Sequence, residues 1–193
     1  MKIVAFQAGL GNQIFQYAYY SYLKKQFPNE KIYGFYPSRG LQNHNGLELN
    51  KWFDVKLPQS TKLSNVIAKT LYWTAKVFFR LHVQPPFTDN DWYRMPNAIL
   101  YLGFWQDKKY MLSAGLPEFK KGLDLGEEDL NYLKKMDETE SVAVHVRRGD
   151  YTDPKIQFIY GNIGTLDFYH EAIEIFKQKL NGMSSQRIAS HLN

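Results

Sequence analysis

The chain opens on a short apolar run, Ile3-Val4-Ala5-Phe6, followed by a glycine-containing loop from Gln7 to Asn12. An apolar run of that length bounded by turn residues predicts a buried strand, Lys2 to Phe6. From Gln13 to roughly Phe27 the apolar positions recur at helical spacing, with Ile14, Phe15, Tyr17, Ala18 and Leu23 on one broad face. Pro28-Asn29 ends this helix, and Lys31 to Tyr36 predicts a second strand. Strand, loop, helix, strand is the opening of a parallel α/β sheet.

Pro37 to Gly46 reads as a polar loop, and Leu47 to Pro58 fits neither period. Thr61 to about Leu81 is helical in pattern, and Pro85-Pro86 breaks it. Asn97 to Phe104 predicts a strand, Glu127 to Met136 a helix, and the alternating Ser141-Val142-Ala143-Val144 a further buried strand. After a loop from Thr152 to Gly164, Thr165 caps a helix running to about Leu180. Asp167 lies near its positive end, and Tyr169, Ala172, Ile173, Phe176 and Leu180 share a face. Residues 181–193 form an atypical tail. The expected organisation is one α/β domain over 1–180, with a Rossmann-like parallel sheet and flanking helices.

Composition narrows the classes. Of 193 residues 44% are apolar, enough to bury a core, and there is no cysteine. Disulfides, thiolate metal sites and a cysteine nucleophile are therefore excluded, and a reducing cytoplasm is permitted. The net charge of +5 is a mild excess that suits an anionic ligand or an acidic membrane surface. It comes without the dense Lys/Arg block of nucleic-acid binders. No signal peptide is expected, and no apolar run reaches the about 18 residues of a transmembrane helix.

The richest chemistry lies at His145-Val146-Arg147-Arg148-Gly149-Asp150-Tyr151, directly after the strand at 141–144. Ligands of open α/β sheets bind beyond the carboxyl ends of the strands. An arginine there offers a planar fork of donors that matches phosphate oxygens in pairs, which points to a nucleotide diphosphate. Extended geometry lets one of Arg147 and Arg148 face the cleft, while the other pins a loop carboxylate. Gly9, Gly11, Asn12 and Gln13 lie between the first strand and helix, where backbone amides and a helix N-terminus can hold an anion or a sugar. The dinucleotide fingerprint fails, because Ile14 stands where its third glycine belongs.

Other patterns carry less. Asp89-Asn90-Asp91 spells the Asp-x-Asp of metal-dependent sugar transferases, but no apolar strand precedes it, and a solvated turn without metal is expected. The five histidines show no metal-ligand spacing. Lys62, Lys69, Lys76 and Arg80 form one basic stripe on the 61–81 helix, beside Val66, Ile67, Leu71, Trp73, Val77, Phe78 and Phe79. That pattern fits both a helix lying on an anionic membrane and a buried helix with one wet face.

Three blocks together resemble the bacterial α-1,2-fucosyltransferases of glycosyltransferase family 11. They are Gly9-Leu10-Gly11-Asn12-Gln13-Ile14-Phe15-Gln16-Tyr17-Ala18, Gly103-Phe104-Trp105-Gln106-Asp107-Lys108-Lys109-Tyr110, and His145 to Tyr151. Thr165-Leu166-Asp167-Phe168-Tyr169 resembles the start of the helix that follows in the family. The resemblance implies an N-terminal part of a two-domain glycosyltransferase type B architecture, with the C-terminal donor domain largely absent after Leu180. It implies transfer of L-fucose from GDP-fucose to the 2-hydroxyl of a terminal galactose, with inversion, without cofactor or metal, in surface glycan synthesis. The acceptor would be a galactose-terminated glycan or a lipid-linked oligosaccharide. Separately from the resemblance, the expected location is cytoplasmic, and on the membrane reading of the 61–81 helix the chain would be peripheral on the inner face of the membrane.

On that reading Arg147 or Arg148 neutralises the departing diphosphate, and Asp150 and His145 are the nearby candidates for a base. Gly9, Gly11, Asn12 and Gln13 contact sugar or nucleotide. The other classes the sequence admits are a non-catalytic carbohydrate- or nucleotide-binding α/β module and a membrane-surface interaction protein.

Overall fold

The structure, a computed structural model, describes residues 1–42, 44–115, 117–139, 141 and 166–180. The chain divides into two compact units, 1–123 and 124–193.

The first unit contains β1 (Lys2–Ala5), α1 (Leu10–Gln26), β2 (Ile32–Phe35), α2 (Ser38–Gln42), α3 (Leu49–Trp52), α4 (Lys62–Arg80), β3 (Thr88–Asp89), β4 (Leu100–Tyr101) and α5 (Lys108–Ala114). Its four strands form one parallel sheet in the order β2-β1-β4-β3. The first strand in sequence is thus central in space, with Ile3 opposite both Tyr33 and Leu100.

Strand alternation explains the layers. Val4 and Phe6 join Ala18, Tyr19 and Leu23 of α1 on one face, together with Tyr101, Trp105 and Tyr110. Ile3 and Ala5 point to the other face and meet Phe35, Leu100 and, from α4, Ala68 and Tyr72. A parallel strand covered on both faces reads as a continuous apolar run, which is how β1 is written. Lys2 is buried beside it, with its Nζ 3.2 Å from the Pro96 carbonyl and over the Phe27 ring.

The helix expected over 61–81 is α4. Thr61 caps it by accepting from the Ser64 amide, and the Ser64 hydroxyl accepts from the Thr61 amide. Four expectations change. The helix expected from Gln13 begins at Leu10, so Gly9 is its N-cap. The strand expected over 97–104 shortens to Leu100–Tyr101, because the chain turns away at Gly103. β3 occupies residues expected to form a solvated turn, and Thr88, Asp89 and Asn90 are all buried. The polar loop expected over 37–46 contains the short helix α2, while α3 and α5 lie in stretches given no assignment.

The second unit contains α6 (Glu127–Asp137) and α7 (Leu166–Leu180). α6 carries Glu127, Glu128 and Asp129 in its first turn and Lys134 and Lys135 in its last, matching the helix dipole. The expected strand at 141–144 past Ser141, the arginine block, the Thr165 cap and the tail at 181–193 lie outside the described residues.

Candidate functional site

The carboxyl ends of β1 and β4 are neighbours, and the loops leaving them lie where open α/β sheets form a ligand crevice. The first turns of α1 tie these loops together. Gln13 is fully buried. Its amide nitrogen donates to the carbonyls of Ala8 and Gly46, both at 2.8 Å. Its oxygen accepts from the amides of Glu48 at 2.9 Å and Leu49 at 3.1 Å. A primary amide has two donors and two lone pairs, so the side chain is fully committed to backbone. The ligand contact expected of Gln13 would have to displace one of these four bonds.

Gln16, equally buried, joins the two loops directly. It accepts from the Gln7 amide at 2.9 Å and donates to the Gly103 carbonyl at 3.1 Å. At the rim, Gln106 Nε2 donates to Asn12 Oδ1 at 2.7 Å. Asn12 therefore retains its own amide donors for a ligand, unlike Gln13. Ala8 sits at φ 65°, a left-handed conformation rare for a residue with a Cβ, and its amide is held by the Gly40 carbonyl at 2.9 Å. A Cβ on Gly9 would meet His44 at ordinary contact distance, whereas one on Gly11 would meet nothing within 4 Å.

The β3–β4 flank is built from charge and rings. Asp89 is fully buried; its Oδ1 accepts from Arg94 Nε at 2.9 Å, and its Oδ2 from the Tyr19 hydroxyl at 3.2 Å. Arg94 also donates to the hydroxyls of Tyr110 at 2.6 Å and Tyr19 at 3.1 Å. Trp105 stacks on Tyr19 with ring centres 4.0 Å apart. Burial, and then the Asp89 charge, push the Tyr19 hydroxyl far above its ordinary pKa. Burial opposes the Arg94 charge, but its bonds to Asp89 and Tyr110 outweigh that and raise its pKa.

Asp91 shapes the loop after β4. Its two carboxylate oxygens accept from the backbone amides of Phe104 at 2.7 Å and Trp105 at 2.8 Å. Trp105 is thereby held at φ 57°. Gly103 is required here: a Cβ on it would stand 2.8 Å from the Trp105 indole and 3.0 Å from the Asp91 carboxylate. The buried Trp105 indole N–H has no hydrogen-bond partner among the described residues. Asp107 caps α5 and pairs with Lys109 at 2.7 Å, which holds its carboxyl below the usual range.

The segments that follow β3 and β4 enclose a half-open cavity of about 500 Å³, lined among others by Trp92, Arg94, Phe104, Gln106 and Lys109 and by no residue of the β1–α1 loop. A larger cavity of about 800 Å³ lies at the amino end of β2, against Lys31 and Ile32. Position favours the smaller one as the site, because it opens beside the strands' carboxyl ends.

The structure thus brings Gly9, Gly11, Asn12 and Gln13 together at one end of the sheet. His145, Arg147, Arg148 and Asp150 lie outside the described residues. The solvated turn expected at Asp89-Asn90-Asp91 is corrected: Asp89 and Asn90 are buried, and both carboxylates are engaged within the fold. Among the described residues no group of three or more histidines and carboxylates could hold a metal ion. Sequence reasoning assigned no role to Gln16, Gln106 or Arg94. The two glutamines lie inside the quoted blocks, which was a signal, whereas Arg94 had none.

The family model for glycosyl transferase family 11 matches residues 4–185. An alpha-1,2-colitosyltransferase of Escherichia coli is 26% identical over 187 residues, covering 91% of this chain and 63% of that protein. The chain therefore spans under two-thirds of the length of this curated relative. No solved structure matches it. The family match takes in both the Gly9–Ala18 and the Gly103–Tyr110 blocks, which Gln16 and the Gln106–Asn12 bond join. The chain belongs to glycosyl transferase family 11.

Proposed function

We propose that this chain is the N-terminal part of an inverting glycosyltransferase that moves L-fucose from GDP-fucose to the 2-hydroxyl of a terminal galactose. The family match across 4–185 carries the reading. It is supported by the carboxyl end of a parallel sheet, where Gln16 joins two of the blocks that resemble the α-1,2-fucosyltransferases. The sheet would be half of a two-domain type B architecture, with donor contacts supplied largely by residues beyond this chain.

In the reaction the galactose 2-hydroxyl oxygen attacks C1 of the donor sugar, and the bond from C1 to the diphosphate oxygen breaks. The hydroxyl proton passes to a base, for which Asp150 and His145 stand as candidates, and GDP leaves. Arg147 or Arg148 neutralises the charge that builds on the diphosphate as the sugar takes oxocarbenium character. The 500 Å³ cavity of the first unit offers a sugar ring the exposed aromatic faces of Trp92 and Phe104. No metal is needed on this reading, and EDTA would leave the rate unchanged. The donor set supports that, since Asp89 is bound to Arg94 and Asp91 to two amides.

The colitosyl relative favours a second donor. Colitose is fucose without its 3-hydroxyl, so the same pocket could select either sugar through one hydrogen bond. The test is GDP release and product mass for the folded chain with GDP-fucose or GDP-colitose and terminal galactosides. A product heavier by one fucose supports the first donor, and one heavier by one colitose the second. In an active form, Arg147→Ala or Arg148→Ala should lower transfer on the order of a hundredfold. Full activity in both single variants would remove the diphosphate role.

A further inference from the structure

Residues 55–88 contain Lys56, Lys62, Lys69, Lys76 and Arg80 and neither Asp nor Glu. These five equal the whole chain's net charge of +5, so the other residues balance 19 basic against 19 acidic. The charge excess is therefore local, and α4 carries most of it.

α4 buries Ser64, Ala68, Tyr72 and Ala75 against the sheet. Its opposite side is mainly apolar, with Leu63 68%, Val66 65%, Val77 54% and Trp73 43% exposed around a single Thr70. At 3.6 residues per turn these four fall within an arc of about 80°, centred opposite the buried face. Lys62, Lys69, Lys76 and Arg80 fall in an adjoining arc of about 40° on one flank. Leu81 and Val83 extend the exposed apolar surface past the helix end. Trp73 lies between two cations: the Arg39 guanidinium is 5.8 Å and the Lys76 ammonium 5.0 Å from its ring.

We infer that α4 is a membrane-docking helix that lies flat on an anionic phospholipid surface. Leu63, Val66, Trp73 and Val77 enter the headgroup boundary, and Lys62, Lys69 and Arg80 meet lipid phosphates. Charge decides between this surface and a second copy of the chain. An α4-to-α4 contact would bring the basic rows together with no carboxylate on either helix to pair them, whereas anionic lipid complements the whole row. No helix among the described residues is long and apolar enough to cross a membrane. Docking is independent of the transfer chemistry, since α4 contributes none of the crevice residues.

The test is flotation of the full chain at physiological salt with vesicles of phosphatidylcholine alone or containing phosphatidylglycerol. The expected result is co-flotation with the anionic vesicles only. A Lys62→Gln/Lys69→Gln/Arg80→Gln variant should bind on the order of a hundredfold more weakly, each basic residue near an anionic surface contributing roughly a factor of five. Val66→Glu/Val77→Glu should abolish flotation while leaving the circular dichroism melt of the exposed-site variant unchanged. Equal flotation with neutral vesicles, none with either, or wild-type flotation by both variants would each overturn the inference. So would a dimer in sedimentation that Val66→Glu/Val77→Glu dissociates while vesicles stay unbound. Transfer to a soluble galactoside is read in parallel, so loss of docking and absence of the proposed chemistry are scored separately.

Discussion

The two flanks of the crevice are held by different physics. On the β1 side the fasteners are neutral amides: Gln13 clamps 8, 46, 48 and 49, and Gln16 spans Gln7 and Gly103. On the β3–β4 side the fastener is a buried carboxylate with a guanidinium, two tyrosine hydroxyls and a stacked indole. An amide clamp divides its worth over several modest bonds to backbone. A buried ion pair concentrates it, because losing either partner strands a charge. The first arrangement sets the shape of a loop. The second also sets a guanidinium, paired with Asp89, at the edge of the cavity.

The largest expected effect separates them. Asp89→Ala should destabilise the fold by about 3 kcal/mol in urea titration, at the low end for a broken buried pair because Arg94 is partly exposed. A change below that of a surface substitution would show that the ionic cluster is incidental. Gln13→Leu should cost about 2 to 3 kcal/mol, since it leaves two amides and two carbonyls unmatched. If it is neutral, the loops are held by something else.

Gly103→Ala should cost about 1 to 2 kcal/mol, as overpacking against the Trp105 indole. It should also change near-ultraviolet circular dichroism, where the Tyr19–Trp105 stack absorbs. The smallest stability effects belong to the rim. Asn12→Ala and Trp92→Ala should each shift stability by less than about 0.5 kcal/mol. In an active form they should instead raise KM, Asn12→Ala for the donor and Trp92→Ala for the acceptor. A large stability loss in Asn12→Ala would make it a second Gln13 rather than a ligand contact.

The elements legible in the sequence were those whose apolar positions repeat. β1, β2, α4 and the body of α1 follow the strand and helix periods, and each lies where those periods predict it. β3 was hidden because Thr88 and Asp89 are polar; their burial depends on Arg94 and Gln84, which no local pattern announces. α1 begins three residues before Gln13 because Gly-Leu-Gly-Asn carries loop composition but is wound into a first turn. The site was legible as a location and only partly as a mechanism. Asn12 and Gln13 look alike in a sequence. Their different fates come from Gln106 and from residues 46–49, far along the chain. The spacing of adjacent residues holds no information about such partners.

The central place of β1 has a consequence for biosynthesis. It is made before the other strands of its sheet, and its second neighbour, β4, begins only at Leu100. At roughly 5 to 20 residues per second, a ribosome leaves one edge of β1 unpaired for roughly 5 to 20 s. During that interval Ile3, Val4 and Ala5 form an open apolar edge able to recruit another nascent chain. Slowing translation before residue 100 should therefore lower the soluble yield of this protein more than slowing it afterwards.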